Sequence, residues 1–198
     1  MEVAARARDI LTMIFLITTV TSAGVAGVFT YHYVQFFPSM KELRLDISLL
    51  SFNPTPLSLN ATVIFKVTNP SSYSGVSLTD FVTNFTIQAP GNVIIPQGFV
   101  DVYIRPKALD SQNQITLRVP ITGSRDGPYK IYQLLNTYTP SQFRFNFTST
   151  VFVSTFLQSY ATVQAIYECT TTINTGSCDQ AAVLLKTHPG PGTSAGGG

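Results

Sequence analysis

The segment from Ile10 to Pro38 has no charged side chain apart from a protonated form of His32, and no other feature constrains the chain as strongly. As a helix, the 21 residues Ile10–Thr30 would be about 31 Å long at 1.5 Å per residue, close to the ~30 Å hydrocarbon core of a bilayer. The run therefore predicts a transmembrane and interfacial helix over residues 10–37.

The flanks of this run give the predicted helix an orientation. Arg6 and Arg8 precede it, and the positive-inside bias places such residues in the cytoplasm. An aromatic cluster follows, as is typical of a membrane interface: Tyr31, Tyr33, Phe36 and Phe37. We therefore expect residues 1–9 to be cytoplasmic and the chain beyond Pro38 to lie outside.

A cleaved export signal is the alternative reading of the same run. Met1–Arg8 would be its basic region, residues 10–20 its apolar region, and Thr21-Ser22-Ala23 a tolerable cleavage site. The apolar character continues to Val34, which a cleaved signal does not need, so the sequence favours a retained anchor.

Small residues recur every four positions along the predicted helix, at Thr19, Ala23 and Gly27. This spacing lets two helix backbones approach closely in lipid, so these residues are candidates for packing against another helix. Gly and Ala are also common in membrane helices that have no such partner.

The composition suits a domain that faces the outside of the cell. Charged residues make up 11% of it, against roughly 25% in typical soluble domains. The net charge is +2 and the basic residues are scattered, so no nucleic-acid partner is predicted. Cys169 and Cys178 lie close together, and on an exported chain such a pair predicts a disulfide that closes a hairpin.

The region 41–186 alternates between apolar and polar residues, as strands with one buried face do. In LSLNATVIFKV (57–67), for example, the odd positions are apolar and the even positions are mostly polar. The same pattern, less cleanly, predicts further strands that include 100–105 and 181–186. Residues 126–138 break the pattern with helical spacing. We predict a mainly β chain: an antiparallel two-sheet sandwich of seven or eight strands with one short helix, and a flexible Pro/Gly-rich tail over 187–198.

The same region resembles the water-stress and hypersensitive-response (WHy) domain, the group-2 late-embryogenesis-abundant type. The resemblance is carried by ATVIFKVTNPSSYSGVSLTDF (61–81), in which an alternating strand runs into the turn Asn69-Pro70, and by the order of the later segments. It implies a β-sandwich of about seven strands with one helix, and no active site carries over. Independently, Pro70 directs Asn69 out of the helical region, so the pair is predicted to be a structural turn.

Nothing in the sequence indicates catalysis. The two histidines are His32 and His188, one at the predicted membrane boundary and one in the tail, and no hydrolase, zinc-protease, phosphate-loop or dinucleotide motif occurs. We therefore predict a protein that is not an enzyme and has no cofactor or metal. Three N-glycosylation sequons begin at Asn60, Asn84 and Asn146.

These patterns favour a non-catalytic, membrane-anchored β-sandwich outside the cytoplasm that acts as an accessory or interaction subunit of a surface assembly. Its expected partners are membrane lipid and other membrane or surface proteins, including further copies of itself. Two alternatives stay open. One is a filament subunit, because an apolar helix bearing a β head also resembles archaeal pilins; the other is a binder of a lipid or other apolar ligand between the sheets.

Overall fold

The computed structural model describes residues 2–121, 127–154 and 161–187. The chain divides into two compact units at the Pro38–Ser39 bond. The first unit is helical, and the strands of the described residues lie in the second. The predicted tail beyond Thr187 lies outside the described residues, as do residues 122–126 at the start of the predicted short helix.

The first element, α1, is one continuous helix from Glu2 to Glu42. Its stretch Asp9–Glu42 has a mean hydropathy of 1.9 and is long and apolar enough to cross a membrane. From Asp9 to Tyr31 every side chain is exposed, including the large apolar ones. The stretch Asp9–Tyr31 therefore has no covered apolar face.

The helix extends four residues beyond Pro38, whereas the sequence placed its end at Phe37. An internal proline removes one backbone hydrogen bond and usually ends or kinks a helix. Here the last turn belongs to the β unit: Met40 is fully buried there, and its carbonyl oxygen accepts a hydrogen bond of 3.0 Å from Gln180 Nε2. Tertiary contacts within the β unit thus hold a turn that local sequence alone would not favour.

Within the described residues, eight strands follow and form two antiparallel sheets. The three-stranded sheet has the order β1-β2-β5 and the five-stranded sheet the order β4-β3-β6-β7-β8. The strands are β1 (Arg44–Phe52), β2 (Ala61–Thr68), β3 (Ser77–Ala89), β4 (Val93–Ala108), β5 (Gln114–Ile121), β6 (Arg144–Ser154), β7 (Ala161–Thr171) and β8 (Gly176–Thr187). The predicted mainly β fold with two antiparallel sheets is confirmed.

The predicted short helix is present as α2, Gly127–Leu134, between β5 and β6. It contacts β4 at one edge of the five-stranded sheet. Its apolar side turns inward, since Ile131 is fully buried while Tyr129 and Tyr132 are exposed. Helical spacing therefore identified this element, although the helix ends four residues before Tyr138.

One predicted strand began too early. Leu57 continues the alternation of β2 in the sequence, yet its side chain is 95% exposed. The backbone turns between Asn53 and Asn60, with a hydrogen bond from Asn53 N to Asn60 O, and Asn60 has a φ of +43°. That left-handed residue ends the turn, so β2 starts at Ala61.

Aromatic rings fill the space between the two sheets. Phe65 of β2 contacts Phe81 of β3 and Phe147 of β6, with ring centroids 4.8 and 5.4 Å apart. At one end, Phe52 packs in the same way against Phe143 and Phe145. Offset and edge-to-face contacts such as these add about 0.5–1.5 kcal/mol per pair beyond their buried area.

Candidate functional site

The outer face of the five-stranded sheet carries a patch of polar side chains that spans four neighbouring strands. Strand alternation sends every second side chain outward, and at one end of β3, β6, β7 and β8 all of these are polar. We call this patch the sequon face; its members are Asn84, Thr86, Asn146, Thr148, Glu168, Thr170, Ser177 and Asp179.

Two of the three sequons lie side by side on this face. Asn84-Phe85-Thr86 in β3 pairs antiparallel with Asn146-Phe147-Thr148 in β6, so Asn84 is opposite Thr148 and Asn146 is opposite Thr86. The central residues Phe85 and Phe147 are also paired, and their rings point into the core with centroids 5.9 Å apart. The fold thus joins two tripeptides that are distant in sequence into one symmetric motif.

The sequon face is a shallow depression of about 600 Å³, within the size range of small-molecule sites. Asn84 is exposed and Asn146 is half-buried. Asn146 Oδ1 accepts a hydrogen bond of 3.1 Å from Thr170 Oγ1. Glu168 and Asp179 are direct cross-strand neighbours, and both are exposed. Amide, hydroxyl and carboxylate groups therefore line the depression, which suits hydrogen bonding to a polyhydroxylated group.

The disulfide predicted from the sequence is present between Cys169 and Cys178. The two cysteines are cross-strand partners in β7 and β8, between the pairs Glu168/Asp179 and Thr170/Ser177 of the sequon face. Closing a loop of this length removes about 2–3 kcal/mol of conformational entropy from the unfolded chain in the loop-closure model. The disulfide therefore fixes the hairpin that supplies half of the face.

The third sequon lies elsewhere. Asn60 is exposed at the turn before β2, in the three-stranded sheet. Its side-chain Oδ1 accepts a hydrogen bond of 2.8 Å from Ser58 Oγ. Asn60 is therefore separate from the pair formed by Asn84 and Asn146.

Asn69 forms a buried hydrogen-bonding centre in the turn after β2. Its Nδ2 donates to the carbonyl oxygens of Tyr73 (2.8 Å) and Leu109 (3.0 Å), and its Oδ1 accepts from both the N–H and the hydroxyl of Ser71. Pro70 beside it is half-buried. The sequence identified this pair as a turn; the structure adds that the turn is tied to the β4–β5 loop.

The residues proposed for helix packing lie on α1 with their surfaces exposed. Thr19 Oγ1 donates to the Phe15 carbonyl oxygen within the helix, at 2.8 Å. Ala23 is exposed, and a Cβ placed on Gly27 would meet no atom within 4 Å. Packing of this stripe against a second helix stays a prediction.

One polar cluster was not anticipated from the sequence. The Tyr167 hydroxyl donates to the Leu43 carbonyl oxygen at 2.8 Å and accepts from Gln180 Nε2 at 3.1 Å. Burial raises the pKa of Tyr167, and the hydrogen bond from Gln180 lowers it by a smaller amount. Alternation indicated that Tyr167 faces inward, but no sequence signal connects it with a backbone carbonyl 124 residues away.

A second carboxylate pair lies on the outer side of β3 and β4. Partial burial raises the pKa of Asp80 above its usual range, and the nearby carboxylate of Asp101 raises it further. The hydrogen bond that Asp80 accepts from the Phe81 N–H lowers it in part.

Across residues 2–121, 127–154 and 161–187, no three His, Cys, Asp or Glu side chains are grouped so as to hold a metal ion.

The similarities between this chain and known proteins are weak. No protein-family model and no curated protein matches the chain. Among solved structures, it is similar to AT1g01470 from Arabidopsis thaliana, with 16% identity, coverage of 68% of this chain and 77% of that one, and a TM-score of 0.38. It is also similar to a Bordetella pertussis protein named ApaA, with 9% identity, coverage of 75% and 94%, and a TM-score of 0.34. Similarity at this level carries no argument about function.

Proposed function

We propose that this protein is a non-catalytic, single-pass membrane protein whose β-sandwich lies outside the cytoplasm and serves as an accessory or interaction subunit of a membrane or surface assembly. The observation that carries the proposal is helix α1. Its apolar stretch is exposed on all sides, from Ile10 to Tyr31. Each large apolar side chain gains about 1.5–3 kcal/mol when it leaves water, so a helix of this kind requires lipid or other helices around it.

Two further features support the orientation. Arg6 and Arg8 precede the apolar stretch, and basic residues concentrate on the cytoplasmic side of a membrane helix. The Cys169–Cys178 disulfide is in the β unit, and disulfides persist in oxidising compartments outside the cytosol. Together they favour a cytoplasmic amino terminus and an exported sandwich.

Membrane extraction tests the anchor. The full chain is expected to stay with membranes in alkaline carbonate and to be released by detergent. Leu16→Arg places a charge in mid-helix, which costs about 2.5–3.5 kcal/mol on insertion scales, and is expected to lower the anchored fraction. Leu57→Arg is the matched control, because Leu57 is a 95% exposed leucine of the β unit. Release of the unaltered chain by carbonate would refute the anchor.

The filament alternative makes a different prediction from the same helix. A bundle of α1 helices would cover the apolar surface as lipid does, but Arg8 and Asp9 would then need partners within the bundle, at a cost. Intact mass, amino-terminal sequencing and the oligomeric state in mild detergent separate the two. An uncut chain in a defined complex supports the accessory subunit, whereas a processed chain in detergent-resistant polymers supports the filament.

The apolar-ligand alternative has less support. The inward phenylalanines of β2, β3 and β6 contact one another, which is the ordinary fate of aromatic side chains in a core. The resemblance to WHy-type domains remains part of the proposal as an expectation, and it implies a β-sandwich to which no active site carries over.

A further inference from the structure

The two paired sequons, which begin at Asn84 and Asn146, lie in an unusual place for a modification site. Sequons that are used usually lie in surface loops, but Asn84 and Asn146 are in β3 and β6, two adjacent interior strands of the five-stranded sheet. β3 is paired on both sides, with β4 and β6, and β6 with β3 and β7. The middle residues Phe85 and Phe147 are each only 2% exposed.

We propose that Asn84 and Asn146 carry N-linked glycans that are attached before β3 and β6 pair, and that the two glycans together cover the sequon face. The proposal rests on the proposed function, because the attachment requires that the β unit be exported. It names a modified surface and the order in which the surface is made.

The chemistry of attachment is compatible with the geometry of both side chains. The Asn amide nitrogen forms a bond to the anomeric carbon of an oligosaccharide while the bond from that carbon to a lipid-linked phosphate breaks. The phosphate leaves on its lipid carrier, and the amide loses one proton. In Asn146 the hydrogen bond from Thr170 engages Oδ1, so Nδ2, the atom that takes the sugar, is not the atom held by Thr170. Asn84 is exposed.

The order of events follows from the pairing of the strands. A transferase that reads Asn-x-Thr must reach the backbone of the tripeptide as well as its two polar side chains. In the folded sheet that backbone belongs to ladders on both sides, and the middle phenylalanine is in the core. Access would require β3 and β6 to separate, which dismantles the core between them. Attachment therefore precedes sheet formation.

Coverage of the face follows from the spacing of the two sites. Asn84 and Asn146 are diagonal neighbours on paired strands, and such positions are about 7–8 Å apart. Two glycans that start from these points lie next to each other over the depression. A protein partner is then excluded from this face, so the accessory function must use other surfaces of the sandwich or the helix.

Site-resolved mass spectrometry of glycopeptides from the full chain, isolated from its native membranes, tests the modification. We expect sugar on both Asn84 and Asn146. Asn60 is the internal control for export, because it is not part of the paired motif. Sugar on Asn60 with Asn84 and Asn146 bare would overturn the inference while supporting the exported orientation. If all three are bare, the inference fails, and carbonate extraction separately decides whether the anchor stands.

Whether attachment must precede folding is tested with the full chain, free of sugar, in detergent. Given the transferase and a lipid-linked oligosaccharide, the folded chain should accept no sugar at Asn84 or Asn146, and the denatured, reduced chain should accept it at both. Thr148→Ala should abolish transfer to Asn146 only, while the control Thr148→Ser keeps the sequon and the transfer. Modification of the folded chain at either asparagine would overturn the order. Failure of the denatured chain to accept sugar at both would overturn the proposal as a whole.

Discussion

Substitution of Asn69 is the most demanding test of how the sandwich is held together. Asn69→Asp keeps the shape of the side chain but replaces the NH₂ group with an oxygen that faces two carbonyl oxygens, those of Tyr73 and Leu109. Asn69→Ala instead removes every side-chain bond, including the two accepted from Ser71. The two variants therefore probe the same buried site with and without a charge.

The expected cost of Asn69→Ala follows from the four hydrogen bonds that it removes. At about 0.5–1.5 kcal/mol of net stability each, with partners left buried, the loss is about 4 kcal/mol. For Asn69→Asp, two donors are lost and an ionised carboxylate is buried, so we expect a loss at least as large at neutral pH. Either change is a large fraction of the roughly 5–15 kcal/mol stability of a domain.

The pH dependence distinguishes the two variants. Burial and the facing carbonyls would raise the pKa of the introduced Asp above its unfolded value of about 3.9. The folded state then binds the proton more tightly, so the stability of Asn69→Asp should increase as the pH falls toward 4 and be lost as the pH rises. Relative to the unaltered protein, the cost of Asn69→Ala should not change across that range.

Urea unfolding of the full chain in mild detergent, followed by circular dichroism at several pH values, measures these differences. Asn136→Asp is the matched control, since Asn136 is exposed after α2 and should lose little. A cost below about 1 kcal/mol for Asn69→Ala would refute the reasoning. So would a cost of Asn69→Asp that does not depend on pH.

Three further predictions concern the β unit. A Cβ on Gly176 would overlap the Ile47 carbonyl oxygen of β1, so Gly176→Ala should lower the melting temperature, whereas Gly98→Ala, which meets no atom within 4 Å, should not. The pKa of Asp80 is raised in the folded state, so its ionised carboxylate destabilises the fold at pH values above the unfolded pKa near 3.8. Asp80→Asn should therefore be more stable than the unaltered chain at neutral pH in urea titrations, and this difference should disappear in acid. Replacing both disulfide cysteines by alanine should cost about 2–3 kcal/mol in the same assay, and reducing agent should then have no further effect.

Local patterns were sufficient for the elements of the fold. Period-two alternation located the eight strands that the described residues contain, and helical spacing located α2. The errors occurred at boundaries. β4 begins at Val93, seven residues before the predicted start at Val100, and β8 begins at Gly176 instead of Ala181. In both strands the early residues lie at a sheet edge with irregular alternation, so only their hydrogen-bonded neighbours reveal them.

The candidate site shows the same division. Each sequon can be identified from three consecutive residues, and strand alternation predicts that its Asn and Thr lie on the polar face of the strand. That Asn84 lies opposite Thr148 is a fact of register between strands β3 and β6, which depends on how the sheet assembles. The same holds for Tyr167 and Leu43, whose hydrogen bond joins residues 124 positions apart.

The sequence by itself determined the helix of the uncharged run, the alternating strands, the cysteine pair and the Asn-Pro turn, because each depends on residues that are close together or continuous in the chain. Tertiary structure alone decided which strands are neighbours, and therefore that two sequons form one face and that Asn69 bridges two loops. Those relations depend on the packing of side chains between two sheets, and a pattern with a period of two is identical for every possible order of the strands.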